Sequence, residues 1–399
     1  MKLFKSLLVA PAALGLMTPL AVSASEVNLN DISNYSDVDS IEFANSFGKD
    51  EVNEKQLIAG GEGLVSGSSH DGGFAGTTTA SFSTDFLIGA VDGDETVNTD
   101  KVMAAYSFEM GISTSFTDGD SLDITIDAGN SKTDRDANTL LGATDGVNEA
   151  DGNVTADALK VDGVSYTFPL GGATAFVADN GDASALFTTA CTYGGPTNTL
   201  DDCGNVNAGP TSGGVAFGSS YDFGNGFAAA VGYQATNAQE NLGIMTQESK
   251  DSYAINGSYT GSNYGLSITY SSVEDGILST SKEDTYTALN AYYTPDAEGM
   301  PSVSVGYEMG DDASKTTLDE ITSFFVGLQW DEVGPGSLGA AAGHSSTAEG
   351  TEEAYMYEVY YSYPVNDSMT ITPVIYVQET NTAGQDDATG LLVKTSFSF

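Results

Sequence analysis

The amino-acid sequence predicts an all-β protein, a sixteen-stranded antiparallel transmembrane β-barrel. Three observations lead to that class. An export segment opens the chain, apolar and small or polar side chains alternate through most of its remaining length, and the connections between these stretches alternate between short and long. A barrel of eighteen strands is the runner-up.

Composition narrows the field. The chain has 399 residues, with 12 Lys+Arg against 56 Asp+Glu and a formal charge of −44. Nucleic-acid binding needs clustered Lys and Arg against phosphates, and a peripheral binder of anionic lipid needs a basic face, so both are excluded. Disorder, a common outcome for a very acidic chain, conflicts with 40% hydrophobic and 10% aromatic residues. Gly (47), Tyr (20) and Phe (18) are abundant while Trp (1) and Pro (10) are scarce, a balance that favours many short strands.

Residues 1–24 have the layout of a cleaved signal peptide. Lys2 and Lys5 form the positive start, Leu7 to Val22 the apolar stretch, and Val22-Ser23-Ala24 the small residues before a cut between Ala24 and Ser25. A membrane anchor would need about 20 uninterrupted apolar residues, and Pro11 and Pro19 break this run. Removing the segment moves the charge from −44 to −46. An acidic periplasmic leader over 25–73 then precedes a barrel over 74–399. Export also sets the reading of Cys191 and Cys203, which sit in a segment rich in Gly, Thr, Asn and Asp. In an oxidising compartment they are expected to close one loop as a disulfide. The alternative is two free thiols; a zinc site lacks histidines nearby, since the chain holds only His70 and His344.

The alternation is explicit in the residues. Leu122, Ile124 and Ile126 alternate with Asp123, Thr125 and Asp127, and Tyr264, Leu266, Ile268 and Tyr270 with Gly265, Ser267 and Thr269. Period two sends each set to opposite faces of a sheet. It predicts strands over 77–90, 101–116, 121–130, 161–168, 173–179, 214–222, 226–236, 250–259, 263–271, 283–294, 301–310, 321–331, 337–345, 353–363, 368–378 and 388–399. Short turns fall at 117–120, 169–172, 223–225, 260–262, 295–300, 331–336 and 364–367. Longer loops fall at 91–100, 131–160, 180–213, 237–249, 272–282, 311–320, 346–352 and 379–387. A soluble sandwich has no need of such strict succession, and no fixed period of 20–50 residues supports a solenoid or propeller.

Lipid offers no partners to backbone N–H and C=O groups, so a spanning sheet must close on itself. Leu266, Val305 and Phe325 are expected to face lipid. Asp123, Asp127, Asp222, Glu308 and Glu358 are expected to line a wet lumen, opposed by Lys394 and Lys101. Tyr355, Tyr357, Tyr360, Tyr361 and Tyr363 suit an aromatic girdle, although tyrosine is enriched in any sheet. Phe397 and Phe399 close an amphipathic last strand, and a terminal aromatic there resembles the signal read by bacterial outer-membrane assembly machinery.

Residues 114–130 (Thr-Ser-Phe-Thr-Asp-Gly-Asp-Ser-Leu-Asp-Ile-Thr-Ile-Asp-Ala-Gly-Asn) resemble a strand–turn–strand motif of cyanobacterial outer-membrane porins of the carbohydrate-selective, OprB-like family. Val164–Leu170 and Phe74–Gly89 are similar to the following hairpin and the first barrel strand. The resemblance implies a homotrimer and carbohydrate transport. It also implies an S-layer-homology region before the barrel, of which residues 31–47 keep at most a remnant, so that attachment to peptidoglycan is doubtful.

The function expected is an outer-membrane porin, a water-filled passive diffusion channel for small hydrophilic solutes and ions with a modest cation preference, in contact with lipid bilayer and lipopolysaccharide. The third long loop, 180–213, is expected to fold into the lumen as a constriction stapled by the two cysteines; loop 131–160 is the competing candidate. Arg135, the single arginine, falls in a loop, so no ladder of arginines lines the wall. No catalytic motif, cofactor or metal is expected: Asp92-Gly-Asp-Glu95 lacks the spacing of a dedicated calcium loop, and His344 suits an interfacial role. The alternative function is a structural or adhesive surface protein whose acidic loops meet other cells or the envelope.

Overall fold

Sixteen strands follow one another around a closed sheet, each antiparallel to its neighbours in the chain. The computed structural model describes residues 77–399 apart from 94–100, 118, 131–146, 149–152, 155–157, 198–199, 212, 237, 239–242, 247–248, 275–282, 313–319 and 382–385. The expected signal segment with Ala24 and Ser25, the leader 25–73, Arg135 and most of loop 131–160 lie outside the described residues.

In chain order the strands are β1 (Thr78–Asp92), β2 (Met103–Thr114), β3 (Ser121–Gly129), β4 (Lys160–Leu170) and β5 (Ala173–Asp179). Next come β6 (Val215–Gly224), β7 (Phe227–Ala235), β8 (Asp251–Thr260), β9 (Tyr264–Glu274), β10 (Glu283–Tyr293) and β11 (Ser302–Asp311). The last five are β12 (Glu320–Val333), β13 (Gly336–Ala348), β14 (Met356–Asn366), β15 (Met369–Gln378) and β16 (Ala388–Ser398). Each corresponds to one strand expected from the sequence, with ends moved by a few residues. Eighteen is excluded among the described residues: the remaining pair, 147–148 with 153–154, forms a separate ladder inside the connection from β3 to β4.

The sheet closes where β1 meets β16, from Ser83 opposite Ser398 to Asp92 opposite Thr389. Phe82 and Phe399 extend this seam by exchanging backbone hydrogen bonds of 2.9 and 3.0 Å. Closure leaves no open edge, which is what a sheet in hydrocarbon requires. Phe397 and Phe399 both point outward, Phe399 stacked on Phe82 with centroids 5.5 Å apart and Phe397 edge-on to Phe86 at 6.0 Å.

The short connections have local causes. Between β6 and β7 the chain reverses on Asn225 and Gly226, whose φ values of 54° and 86° suit a two-residue hairpin turn and explain the Asn-Gly pair. Between β2 and β3, Asp120 accepts hydrogen bonds from Phe116 N–H, Thr117 N–H, the Ser115 hydroxyl and the Tyr166 hydroxyl. With Tyr166 foremost, these donors hold its carboxyl well below the usual carboxylate range. All seven such turns gather at one end of the barrel and the eight longer connections at the other, as antiparallel strands in chain order require.

The two faces differ as the alternation predicts. Leu266, Ile268, Leu289 and Val305 are exposed on the outside, whereas Ser267, Thr269, Asn290 and Ser304 are buried on the inside. Phe325 departs from expectation: it is fully buried on the inner face, and Phe324 takes the outward place. Adjacent phenylalanines must point to opposite sides, and Ser323 and Gly327 on the inner row fix which one turns in. The tyrosines near β14 divide likewise. Tyr357 and Tyr363 are exposed outside, Tyr361 shares their register, Tyr360 is buried inside, and Tyr355 lies ahead of the strand.

Candidate functional site: a loop folded into the barrel

Residues 180–214 leave β5 and turn inward, running along the inner wall from β7 to β14 before joining β6. The wall offers one or two polar side chains per strand, and the loop's backbone uses them. Gln234 on β7 holds both ends of the loop, accepting from Ala183 N–H at 3.0 Å and donating to Gly213 C=O at 2.8 Å. Asn256 on β8 accepts from Thr188 N–H and donates to Thr188 C=O, at 3.1 and 3.2 Å. Ser267 on β9 and Ser304 on β11 accept from Ala190 and Thr192 N–H, both at 2.9 Å, and Asn290 on β10 donates to Cys203 C=O at 2.8 Å. A loop in the interior of a protein must find partners for its backbone, and here the barrel provides them.

Two carboxylates complete the attachment. Glu308 on β11 accepts from Asn207 N–H, Ala208 N–H and the Asn207 side-chain amide at 2.7, 2.8 and 2.7 Å. Glu358 on β14 accepts from the Tyr193 hydroxyl at 2.5 Å and from the Thr197 hydroxyl. Charge-assisted bonds of this kind are roughly twice as strong as neutral ones. Close approach is equally necessary. A Cβ on Gly232 would lie 1.8 Å from Ala183 O, and one on Gly306 1.8 Å from Cys203 O, so the loop fits only because both wall positions are glycine.

Apolar contacts seal the far side. The Tyr193 ring packs against Phe325 at 5.4 Å and Tyr360 at 5.8 Å, with Leu200, Met356 and Ala341 buried around them. Phe325 therefore turns inward onto a surface that the loop brings. A disulfide joins Cys191 to Cys203 with a Cα–Cα distance of 6.4 Å, so the stretch bearing Tyr193 and Thr197 is a closed ring.

The five acids and Lys394 expected to line the lumen fall into three groups. Glu308 and Glu358 point inward but are each 1% exposed beneath the loop, so they anchor it and do not reach solvent. Asp222 holds the inward register at the end of β6, where it accepts from Gly224 N–H at 2.7 Å and caps the turn. In the third group, Asp123 and Lys394 are half-buried and Asp127 is buried. Asp123 lines a niche of about 340 Å³ shared with Asp162, Asp179 and Asp182. Asp127 lies opposite Glu109 on β2, and Lys394 is paired with Asp85 at 2.8 Å. Lys101 precedes β2 in a long connection.

Sequence reasoning named Glu308 and Glu358 but missed the neutral anchors on the wall and the loop's own charges. Asp201 and Asp202, next to Cys203, are exposed on the free side of the loop. Asp202 is ringed by protein elsewhere, and the loss of hydration, then the charges of Asp201 and Glu308, push its carboxyl up to about 7. Dehydration likewise raises Asp201. The acidic pair beside a cysteine in the nominated loop was visible in the sequence; its position was not. Basic residues offer little counterweight, since of the 12 in the chain only Lys160 and Lys394 lie in the barrel strands.

No known protein family matches this sequence, and no curated protein does. Among solved structures the chain is similar to Pseudomonas putida OprB in its high-pH form, at 11% identity and a TM-score of 0.59 over 82% of this chain and 95% of that one. It is also similar to an engineered variant of the Rhodopseudomonas blastica porin, at 13% identity and a TM-score of 0.53 over 81% of this chain and all (100%) of that one. A second engineered variant of the same porin gives 12% and 0.52. The shared feature is the fold: a closed barrel of porin type.

Proposed function

We propose that the chain is an outer-membrane porin, a water-filled passive diffusion channel for small hydrophilic solutes and ions that leans toward cations. The observation that carries this reading is the inward loop. A barrel serving as a surface scaffold has no use for a loop tied to its inner wall at strand after strand, whereas a channel gains a defined constriction from it. Carboxylates on the open wall and on the free side of the loop favour cations, because basic side chains are nearly absent from the strands.

Transport of carbohydrate is proposed from the resemblance to OprB-like porins and from similarity in fold to P. putida OprB. A homotrimer, contact with lipopolysaccharide, a signal peptide cut after Ala24, and recognition of Phe397 and Phe399 by the assembly machinery complete the reading. Planar-bilayer recording tests it. Stable open-channel steps are expected, with a reversal potential in a salt gradient on the cation side; a silent bilayer would favour an adhesive role instead. Swelling of proteoliposomes in sugars of increasing size tests the carbohydrate route.

A further inference from the structure

Tyr233 is in the wrong state for its position. It shares the outward face of β7 with Val231 and pairs across the ladder with Tyr253 on β8, which is also outward. Val231 and Tyr253 are 53% and 43% exposed, yet Tyr233 is 4% exposed. The cause lies in described residues of the next connection and the start of β8, which reach the ring on the outside of the barrel. Met245 N–H donates to the Tyr233 hydroxyl at 3.0 Å, and that hydroxyl donates to Asp251 Oδ1 at 2.7 Å. Phe217 and Tyr253 flank the ring at 4.6 and 5.2 Å.

These contacts have a consequence for Ile244 and Met245. Both stand on the outer side of the barrel, 45% and 58% exposed, and Met245 is held at a φ of 56°, uncommon for a residue with a side chain. Their height is set by the aromatic residues below. Outward tyrosines on β8 mark two levels, Tyr259 near the short turns and Tyr253 near the long loops, with exposed Ile255 between them. At roughly 3.3 Å per residue the two are about 20 Å apart along the strand. That approaches the roughly 25 Å apolar band, edged by aromatics, of a transmembrane barrel. Met245, bonded to the partner of Tyr253, is level with the upper edge of that band, and the apolar belt continues beneath it through Val231, Ile255 and Leu266.

We infer that Gly243-Ile244-Met245 is seated in the interfacial layer of the bilayer, with Ile244 and Met245 against acyl chains, so that this loop braces the barrel on lipid. The inference rests on the reading of the chain as a membrane-spanning barrel. Interfacial residues of mixed character settle at this depth, and continuity with the lipid-facing belt favours lipid over a second copy of the chain as the occupant.

The test uses the full chain. Its two cysteines are joined to each other, so Ile244→Cys or Met245→Cys adds a single thiol that takes an environment-sensitive fluorophore. Leu266→Cys, on the lipid-facing belt, and Thr351→Cys, in an exposed connection, are the references. In phosphatidylcholine proteoliposomes, labels at 244 and 245 are expected to emit toward the blue. With acyl chains carrying bromine they should be quenched as strongly as the label at 266, while the label at 351 is not. Water-like, unquenched emission at both positions, with 266 still quenched, would overturn the inference and leave the barrel reading intact. Cross-linking of 245 to 245 between two chains, with escape from the brominated lipid, would overturn it in favour of a second copy. An unquenched label at 266 would remove the premise and the inference together.

Discussion

Two arcs of the inner wall are built on the same alternation and use it differently. From β7 to β14 the inward side chains are Gln234, Asn256, Ser267, Asn290, Ser304, Glu308 and Glu358, and nearly all are covered by the loop whose backbone they hold. From β1 to β5 and on β16 the inner face is mixed: Asp85, Glu109, Asp123 and Lys394 keep some exposure, while Leu87, Val91, Asp127 and Leu392 are buried. A carboxylate on the inner face therefore has two fates. Under the loop it is an anchor whose charge is absorbed by N–H and O–H donors; elsewhere Asp85, Glu109 and Asp123 keep contact with solvent, Asp85 with a lysine beside it. Counting inward acids overstates the charge left free on the inner face.

Changes to the anchors should have the largest effect. Glu308→Ala leaves the Asn207 and Ala208 N–H groups without acceptors, a loss on the order of 2–4 kcal/mol, and should raise single-channel conductance and its noise by loosening the loop. Glu308→Gln is expected to behave almost as badly, because its amide N–H₂ meets donors where the carboxylate met only partners. A fully functional Glu308→Gln variant would show that geometry, and not the second acceptor oxygen, holds the loop.

Opening the disulfide should have a smaller effect. The chain-entropy account assigns a loop of this size about 3 kcal/mol, but the wall bonds persist when the bridge is gone. Replacing Cys191 and Cys203 with serine is expected to lower the midpoint of thermal unfolding and to add conductance noise, with a mean conductance below that of the Glu308→Ala variant. A mean above it would shift the weight from the wall to the staple.

Charge on the open side should move selectivity more than size. With its carboxyl raised to about 7, Asp202 is neutral in acid and charged in mild alkali. Cation preference, read as reversal potential, is expected to rise as pH climbs through neutrality, and Asp202→Asn should flatten that rise. The raised value also means that the folded loop favours the protonated form, so the attachment should weaken as pH rises from the ordinary aspartate range to about 7 and level off beyond it. Smallest of all is Asp85→Asn. Partly exposed pairs such as this one contribute on the order of 1 kcal/mol, so stability should change little while the freed Lys394 trims cation preference; an unchanged reversal potential would place the selective point away from β1 and β16.

The fold was legible because a closed antiparallel barrel obeys strong local rules. Period two, closure and short turns leave marks in every hairpin, from Asn225-Gly226 to the last Phe397 and Phe399. The loop's inward path was legible only as a position, by its length and its cysteines. Its attachment was not, because Gln234 or Asn290 looks like any polar residue of an inner face until a partner distant in sequence arrives. Phe325 was assigned to lipid for the same reason: nothing within its own strand announces Tyr193. Fates decided by long-range contacts are invisible to a pattern of alternation.

The most direct test of the constriction is the single-channel conductance of a chain lacking residues 185–208, recorded in the same bilayer and salt as the intact protein. With the loop removed from the wall of β8 to β14, conductance is expected to rise clearly and its ion preference to weaken. An unchanged conductance in a correctly inserted barrel would mean that the loop does not set the width of the pore.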